Sequence, residues 1–207
     1  MNIVFKNNVN ERFDGKQKVD LEIGCGMKKQ KESSIGTDML DSACVDIVGD
    51  IYEVLASLPN STVDTVYAYH FIEHVPDVPK LLSELSRIIK LGGHLILVAP
   101  HFSNPYFYSD PTHRTFFGLY TFAYYANNSP FKRKVPMYGY KSEFDILSVD
   151  LSFKSSRPFF LRHIIKYTIG AVFNSSNYFK EFYEENLCYI FPCYEVKYTL
   201  QRNVKTL

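Results

Sequence analysis

Several short apolar runs in the first hundred residues end in glycine or in an acidic residue. The runs that close near residues 23, 37 and 48 are followed at once by Gly24-Cys25-Gly26, by Asp38 and by Gly49-Asp50. Glycine permits positive φ and a close approach of the backbone to a ligand, and a carboxylate accepts hydrogen bonds from hydroxyl or amino groups. One such feature alone is typical of a tight turn or a helix cap. Three of them at successive run ends favour a ligand-binding site.

Histidines are the candidates for proton transfer. His70 and His101 each follow an apolar run, and His113 lies within the segment Asp110-Pro111-Thr112-His113-Arg114. Histidine is the natural base near neutral pH, because its ordinary pKa is about 6.5. A helix-capping turn is an equally good interpretation of that segment. No metal is expected, since no spacing specifies one, and the alternative is a cluster of His70, His101, Asp110 and His113.

Five apolar runs predict buried strands at 19–23, 34–37, 45–48, 62–69 and 94–99. A periodic helix from Pro76 to about Lys90 separates the last two, and Gly92-Gly93 is expected to end it. Near-continuous apolar strands alternating with helices or loops predict an α/β fold with a mostly parallel sheet, whose ligands bind at the carboxyl ends of the strands. Only about eight residues lie between Gly26 and the second strand. A parallel crossover usually takes a dozen or more, so the first crossover helix must be missing or reduced to a turn.

The second half of the chain is set apart by its aromatic residues. The chain has 17 Phe and 16 Tyr in 207 residues, and 27 of these 33 follow residue 100. The pattern predicts a helix over 115–126, a loop over 127–140 and a strand over 143–153. One or two helices are expected across 158–183, and a strand pair or one long strand across 187–201. No linker separates the halves, so residues 1–207 are interpreted as a single domain.

Composition and charge exclude several classes of protein. A net charge of +1 argues against an electrostatic nucleic-acid binder. The four cysteines lack C-x-x-C spacing, residues 1–18 lack an apolar signal segment, and no run reaches the roughly 18 apolar residues of a membrane span. A cytoplasmic setting is therefore expected. The segment 159–173 mixes basic with apolar residues and could contact a membrane surface, although ordinary packing is the preferred interpretation.

Five motifs follow one another along residues 19–100. They are Val-Asp-Leu-Glu-Ile-Gly-Cys-Gly at 19–26, Ile-Gly-Thr-Asp at 35–38, Val-Gly-Asp-Ile at 48–51, Asp-Thr-Val-Tyr-Ala-Tyr-His-Phe-Ile-Glu-His-Val at 64–75 and Ile-Ile-Lys-Leu-Gly-Gly-His-Leu-Ile-Leu-Val-Ala-Pro at 88–100. Together they resemble the class I S-adenosylmethionine-dependent methyltransferases, and residues 103–118 resemble an Asp-Pro-Thr-His-Arg feature of a bacterial and archaeal subgroup. The resemblance implies a Rossmann-like sheet of about seven strands with an abbreviated first crossover and aromatic-rich helical insertions after strand five. Residues 19–100 would be the cofactor-binding half, and residues 101–207 the acceptor half with the C-terminal strands.

The resemblance places the cofactor S-adenosylmethionine at the rim of strand ends. It implies that Glu22 meets the amino group of the cofactor and Asp38 its ribose hydroxyls. Asp50 would meet the adenine amino group, with Ile51 packed on the ring. Lys28 stands where the family commonly has a third glycine, so the loop before the second strand must supply backbone N–H groups instead. The expected cofactor residues are Glu22, Gly24, Cys25, Gly26, Asp38, Met39, Asp50, Ile51 and His70.

The resemblance also implies methyl transfer to a small-molecule or glycan-linked acceptor, with O-methylation preferred. His113 is the first candidate for the base and His101 the second. The alternatives are an RNA or nucleotide methyltransferase, and a non-catalytic S-adenosylmethionine-binding protein that acts through a partner. An NAD-dependent oxidoreductase is disfavoured by the acid before the glycine turn and by the fourth motif. Contacts to the substrate are expected from Asp110, Arg114, Tyr106 and Tyr108.

Overall fold

The computed structural model describes residues 3–14, 17–136, 138–140, 143–155 and 159–203. Its helices are α1 (Ile51–Ser57), α2 (Val78–Ile88), α3 (Phe160–Phe173) and α4 (Asn177–Asn186). Short 3-10 turns cover Val9–Phe13, Ile72–His74, Pro105–Ser109 and Thr121–Tyr124. The strands are β1 (Val4–Phe5), β2 (Asp20–Ile23), β3 (Ile35–Asp38), β4 (Ile47–Val48), β5 (Val63–Tyr69), β6 (Ile89–Pro100), β7 (Phe144–Ser152) and β8 (Glu195–Arg202).

All eight strands form one sheet in the order β1-β4-β3-β2-β5-β6-β8-β7. The five strands from β4 to β6 run parallel to one another, while β8 is antiparallel to both β6 and β7. The expected mostly parallel α/β sheet is therefore confirmed. It has eight strands rather than seven because β1 adds an antiparallel edge beside β4. Parallel order brings the carboxyl ends of β2, β3, β4 and β5 to one edge.

The first crossover has no helix, as its length predicts. Residues 24–34 form only turns and bends between β2 and β3, and residues 39–46 do the same between β3 and β4. In the helix between β5 and β6, the predicted periodicity is confirmed because the apolar face of α2 is buried. That helix ends at Ile88 rather than at the glycine pair, which lies inside β6. A Cβ at Gly93 would come within 2.8 Å of the Asp64 carbonyl oxygen, so this glycine serves strand packing.

The expected helix over 115–126 is wrong, since this stretch contains only the 3-10 turn Thr121–Tyr124. Phe117 and Phe122 are buried against Tyr198 of β8, with ring centroids 6.4 and 4.5 Å away. The Tyr198 hydroxyl donates to the Gly118 carbonyl at 2.6 Å. Packing of these rings therefore sets the backbone here, overriding a helical propensity that aromatic residues lower. The aromatic-rich segment between β6 and β7 is therefore not an α-helix, whereas α3 and α4, which are also rich in Phe and Tyr, are helical insertions of the kind expected after the fifth predicted strand.

The two helices expected before the last strand are confirmed, with their break at residues 174–176. The Asn174 side chain accepts from the Leu151 amide at 2.9 Å and donates to the Leu151 carbonyl at 2.7 Å, and Ser176 caps α4. A single strand, β8, follows, so the alternative of a strand pair is wrong. Between α4 and β8 the chain forms turns through Pro192.

The segment 159–173 forms α3, which exposes Ile164, Ile165 and Tyr167. No helix within the described part of the chain combines the length and the apolar character that a membrane crossing requires. Contact of α3 with a membrane surface stays a prediction.

Candidate active site

A cavity of about 240 Å³ opens at the carboxyl ends of the parallel strands. It lies where the sequence predicts ligand binding, at the edge shared by β2, β3, β4 and β5. Five of its lining residues were expected to bind the cofactor: Gly24, Asp38, Met39, Ile51 and His70. The others are Thr37, Gly49, Phe71 and His74.

The glycine turn after β2 forms the floor of this cavity. Gly24 and Gly26 have φ of +65° and +59°, a region that side chains with a Cβ rarely adopt. A Cβ on Gly24 would lie 2.2 Å from the Phe71 ring, whereas a Cβ on Gly26 would meet nothing within 4 Å. Gly24 is therefore required twice, for its backbone conformation and for the position of the Phe71 ring that lines the cavity.

Asp38 holds the turn and faces the cavity at the same time. Its Oδ2 accepts from the Gly26 amide at 2.8 Å, and its Oδ1 accepts from the Leu40 amide at 2.9 Å. Each carboxylate oxygen has a second lone pair that can accept a hydroxyl of a ligand. Met39 and Ile51 add apolar surface to the same cavity.

The carboxylate of Glu22 accepts hydrogen bonds from the loop that replaces the first crossover helix. Glu22 is buried, and its oxygens accept from the backbone amides of Gln30 at 2.9 Å and Lys31 at 2.8 Å. It does not line the cavity. The Glu22 carboxylate therefore organises this loop, and its contact with a cofactor amino group, directly or through water, stays a prediction.

Three other expected cofactor residues also lie outside the cavity lining, namely Cys25, Gly26 and Asp50. Asp50 caps α1, accepting from the Tyr52 amide at 2.9 Å and from the Glu53 amide at 3.4 Å. Cys25 is buried, and burial raises the pKa of its thiol to about 12. The helix-cap interpretation of Asp50 thus fits the structure better than a contact with adenine, and Cys25 contributes a neutral packing group.

His70 sits between two buried carboxylates at the end of β5. Its Nε2 lies 3.1 Å from Glu195 of β8, and its Nδ1 lies 3.6 Å from Glu73. Hydrogen bonding to Glu195 and then to Glu73 raises the pKa of His70 to about 9, so the imidazole is a cation at neutral pH. The backbone of His70 has φ of +51°, a strained conformation that turns the chain from β5 toward Glu73 and His74.

His113 lies beside His74, which lines the cavity, with ring centroids 4.9 Å apart. The Nδ1–H of His113 donates to the Phe107 carbonyl at 2.8 Å, which leaves the lone pair on Nε2. The Nδ1 of His74 lies 2.9 Å from the Thr112 hydroxyl, which itself donates to Asp110 at 2.6 Å. His74 therefore also donates through Nδ1, so both histidines carry their lone pairs on Nε2.

His101, the second candidate for the base, is a core residue instead. It is fully buried, its Nδ1 accepts from the Ser103 amide at 3.1 Å, and its Nε2 lies 3.1 Å from Glu184 of α4. Both ring nitrogens are satisfied in the interior, and the ring does not line the cavity. The structure therefore separates His101 from the strand-end site.

The expected substrate residues are divided between two places. Asp110 is part of the His74 and His113 arrangement, and the Arg114 amide donates to the Glu73 carbonyl at 2.7 Å with its side chain exposed. Tyr108 is exposed, and its hydroxyl donates to the Phe102 carbonyl. Tyr106 instead lines a separate groove, together with Lys154 and Arg162.

Sequence reasoning missed Thr37, Gly49, Phe71, Glu73 and Glu195 as neighbours of the site. Gly49 and Phe71 each adjoin a residue that was singled out, so their positions beside Asp50 and His70 were a usable signal. His74 was not among the candidate site residues, yet it lines the cavity. Glu195 carried no local signal, because it reaches His70 from 125 positions away.

A family model described as a methyltransferase domain matches residues 10–97, and no curated protein matches the sequence. A SAM-dependent methyltransferase from Archaeoglobus fulgidus is 17% identical with a TM-score of 0.54, over 93% of this chain and 90% of that one. Phosphoethanolamine N-methyltransferase 2 from Haemonchus contortus, solved with S-adenosyl-L-methionine, is 20% identical with a TM-score of 0.54, over 94% of this chain and 51% of that one. The chain thus spans about half of the length of the Haemonchus structure.

The cavity has the chemistry that S-adenosylmethionine requires. The Asp38 carboxylate faces it for the ribose hydroxyls, Met39 and Ile51 offer apolar contacts for a purine ring, and a residue with a Cβ at Gly24 would displace the cavity wall. The strand order, the glycine turn and the matched domain agree with one another. Residues 10–97 therefore match a methyltransferase domain, and the sheet has the fold of S-adenosylmethionine-dependent methyltransferases.

Proposed function

We propose that this enzyme methylates a hydroxyl group of a small-molecule or glycan-linked acceptor. The observation that carries the proposal is the pair of Nε2 lone pairs on His74 and His113 at the mouth of the cofactor cavity. An amine acceptor could attack with its own lone pair, whereas a neutral hydroxyl needs help in losing its proton. Two imidazole lone pairs beside the cavity are suited to that need.

S-adenosylmethionine, when bound, supplies a methyl group made electrophilic by its positively charged sulfur. The residues of this chain then have to bring the acceptor oxygen into line and remove its proton. The Phe107 carbonyl fixes the ring of His113, and the Thr112 hydroxyl fixes the ring of His74, so neither imidazole has to reorient. In this proposal His113 is the residue nearest the acceptor, and His74 connects it to the cofactor cavity.

An aromatic surface next to His113 suits a sugar or another flat acceptor. The rings of Phe107 and His113 are 4.7 Å apart, and those of Phe107 and Phe116 are 4.8 Å apart. Phe116 and Tyr108 are exposed at 57% and 62%, so their faces are open to a ligand. Apolar ring faces bury the C–H surface of a sugar, and the exposed Asp110 and Arg114 side chains can bond its hydroxyls.

The two alternative functions would each require other properties of the protein. An RNA or nucleotide methyltransferase would need cationic surface for phosphates, and the net charge of +1 speaks against it. A non-catalytic protein acting through a partner would bind S-adenosylmethionine without turnover on any acceptor.

The test is transfer of a labelled methyl group to a panel of acceptors by the full chain. The panel contains methyl glycosides, simple diols, phosphoethanolamine as an amine and an RNA oligonucleotide. We expect transfer to a hydroxyl acceptor, and His113→Ala to lower turnover by roughly 100-fold or more while leaving the affinity for S-adenosylhomocysteine unchanged. The matched control is His163→Ala on the exposed side of α3, which should keep full activity.

Transfer to the amine or to RNA alone would overturn the proposal. Unchanged turnover of the His113→Ala variant would remove His113 from the mechanism. Binding of S-adenosylmethionine without transfer to any acceptor of the panel would favour the non-catalytic alternative.

A further inference from the structure

Three side chains with metal-binding atoms meet at the mouth of the cofactor cavity. One ligand atom from each of Glu73, His74 and His113 lies within 4.8 Å of the other two. Glu73 and His74 come from the 3-10 turn after β5, and His113 comes from the loop after β6. We propose that these three residues bind a divalent transition-metal ion, such as Zn²⁺ or Co²⁺, that activates the acceptor.

Both imidazoles are already oriented as metal ligands. A histidine that binds a metal usually donates its other N–H to a carbonyl or carboxylate, which fixes the ring and its tautomer. The Nδ1–H of His113 has the Phe107 carbonyl, and the Nδ1–H of His74 has the Thr112 hydroxyl, which passes the interaction on to Asp110. Asp110 Oδ2 lies 3.7 Å from His113 Nε2, too far for a hydrogen bond. Both Nε2 lone pairs are thus left for an external cation.

The third ligand, Glu73, has a buried carboxylate oxygen without a hydrogen-bond partner among the described residues. Glu73 is 1% exposed, and the oxygen concerned is Oε2. A buried carboxylate without a partner is costly, and a bound cation removes that cost. His70 lies 3.6 Å from Oε1, the other oxygen of this carboxylate. The Glu73 carboxylate therefore has an ion-pair partner for Oε1 and no hydrogen-bond partner among the described residues for Oε2.

The set of donors selects the class of metal. Two imidazole nitrogens with one carboxylate are typical of Zn²⁺ and related ions, whereas Mg²⁺ prefers oxygen ligands and water. Three protein ligands leave at least one coordination position open, and the partial exposure of His74 and His113 makes that position accessible. A metal about 2.1 Å from each donor holds donors roughly 3.4 Å apart in tetrahedral geometry. Ligand atoms up to 4.8 Å apart must then close in by up to about 1.4 Å when the ion binds.

This inference rests on the proposed hydroxyl methylation for its role, though not for metal binding itself. A bound metal ion would lower the pKa of the acceptor hydroxyl, whose proton passes to solvent at the open side. The oxygen then forms a bond to the methyl carbon as the carbon–sulfur bond breaks, and the sulfur keeps the electron pair. When the ion is bound, His74 and His113 hold it, and the metal takes over the proton removal that the imidazoles would otherwise perform.

The metal is tested directly with Co²⁺, whose visible spectrum reports its coordination. Chelator-treated full-length protein is titrated with Co²⁺, and the bands are then displaced with Zn²⁺. We expect a single site, with affinity lowered roughly 100-fold or more by His74→Ala, by His113→Ala and by Glu73→Gln. Thr112→Val, which removes only the support of His74, should cost about 10-fold. His163→Ala is the matched control and should bind Co²⁺ normally, and circular dichroism confirms that every variant is folded.

Each outcome decides between the two proposals. No Co²⁺ binding, binding that His74→Ala and His113→Ala leave unchanged, or binding of Mg²⁺ alone would overturn the metal site. Hydroxyl methylation at full rate after chelation would overturn its role and leave the proposed function standing. Tight Co²⁺ binding by a protein that methylates only amines would support the metal site and overturn the hydroxyl acceptor.

Discussion

The two halves of this enzyme build their parts of the active site in different ways. In residues 19–100, the cofactor rim comes from residues at strand ends, with Gly24, Asp38 and His70 each placed by the strand before it. In residues 101–203, the loop after β6 carries His113 without regular structure of its own. That loop is held by contacts with distant elements, such as the Arg114 amide on Glu73.

This difference shows that the position of a polar residue can be set either by the strand before it or by its tertiary contacts. A residue at the end of a parallel strand points to the common ligand edge whatever the rest of the chain does. A residue in a long loop takes its surroundings from its partners, so that His101 is a core residue while His113 lies beside His74, although only twelve positions separate the two. The predictions below test this division, from the largest expected effect to the smallest.

The largest effect is expected at Gly24, where the cofactor half depends on one missing Cβ. Gly24→Ala should lower the free energy of unfolding by about 3 kcal/mol through positive φ and the collision with Phe71. It should also weaken binding of S-adenosylhomocysteine about 100-fold, since the displaced ring lines the cavity. The matched control, Gly26→Ala, carries only the φ cost of about 1 kcal/mol because its Cβ meets nothing. Urea unfolding and titration calorimetry measure both, and equal effects at the two glycines would contradict the role of Phe71.

His101 tests whether the acceptor half contains a second catalytic histidine. Because it is fully buried and paired with Glu184, His101→Ala should destabilise the protein by about 3 kcal/mol. Turnover per folded molecule should stay near that of the parent protein. Urea unfolding gives the stability, and methyl transfer at low temperature gives the activity. A stable but inactive His101→Ala variant would return this residue to the mechanism.

The pair Asp38 and Asp50 sharpens the description of the cofactor rim. Asp38→Asn places an amide group against the amides of Gly26 and Leu40, and it should weaken S-adenosylhomocysteine binding about 10-fold to 100-fold. Asp50→Asn should leave affinity within about 3-fold, because asparagine caps a helix as well as aspartate does. Calorimetry compares them directly. A large loss of affinity at Asp50 would support the adenine contact that the family resemblance implies.

The smallest effect is expected on the exposed face of α3. Ile164→Ser should change the free energy of unfolding by no more than about 0.5 kcal/mol, because the side chain is 66% exposed. The cofactor affinity should be unaltered. A buried counterpart, Ile146→Ser in β7, should cost several times more. If Ile164→Ser destabilised the isolated protein as strongly, the face would be packed rather than exposed, and the interpretation of α3 as an available surface would fail.

Much of the fold could be predicted because its signals are local. The apolar runs that became β2, β3, β4, β5 and β6 are continuous in sequence, and the short spacing after Gly26 alone excluded a first crossover helix. The helix expected over 115–126 failed because Phe117 and Phe122 pack on Tyr198, a residue more than seventy positions away. The interpretation of residues 1–207 as a single domain stays a prediction.

The residues of the candidate site also fall into those that local sequence predicts and those that depend on tertiary packing. The glycine turn and Asp38 could be predicted, since strand-end residues share one edge of a parallel sheet. The contact between His70 and Glu195, or the meeting of Glu73, His74 and His113, could not be read from spacing. Both depend on which loops and strands pack together, and nothing in a local pattern encodes that.

The sequence by itself determined the class I sheet, the cofactor edge and the division between a cofactor half and an aromatic half. Those features follow from the period of apolar residues and from backbone freedom at glycine, which act over a few neighbours. Only the tertiary structure decided that Asp50 caps a helix, that His101 is buried, and that His113 stands beside His74 and Glu73. Burial and pairing of polar groups are properties of the packed chain, because each depends on partners that only folding brings into reach.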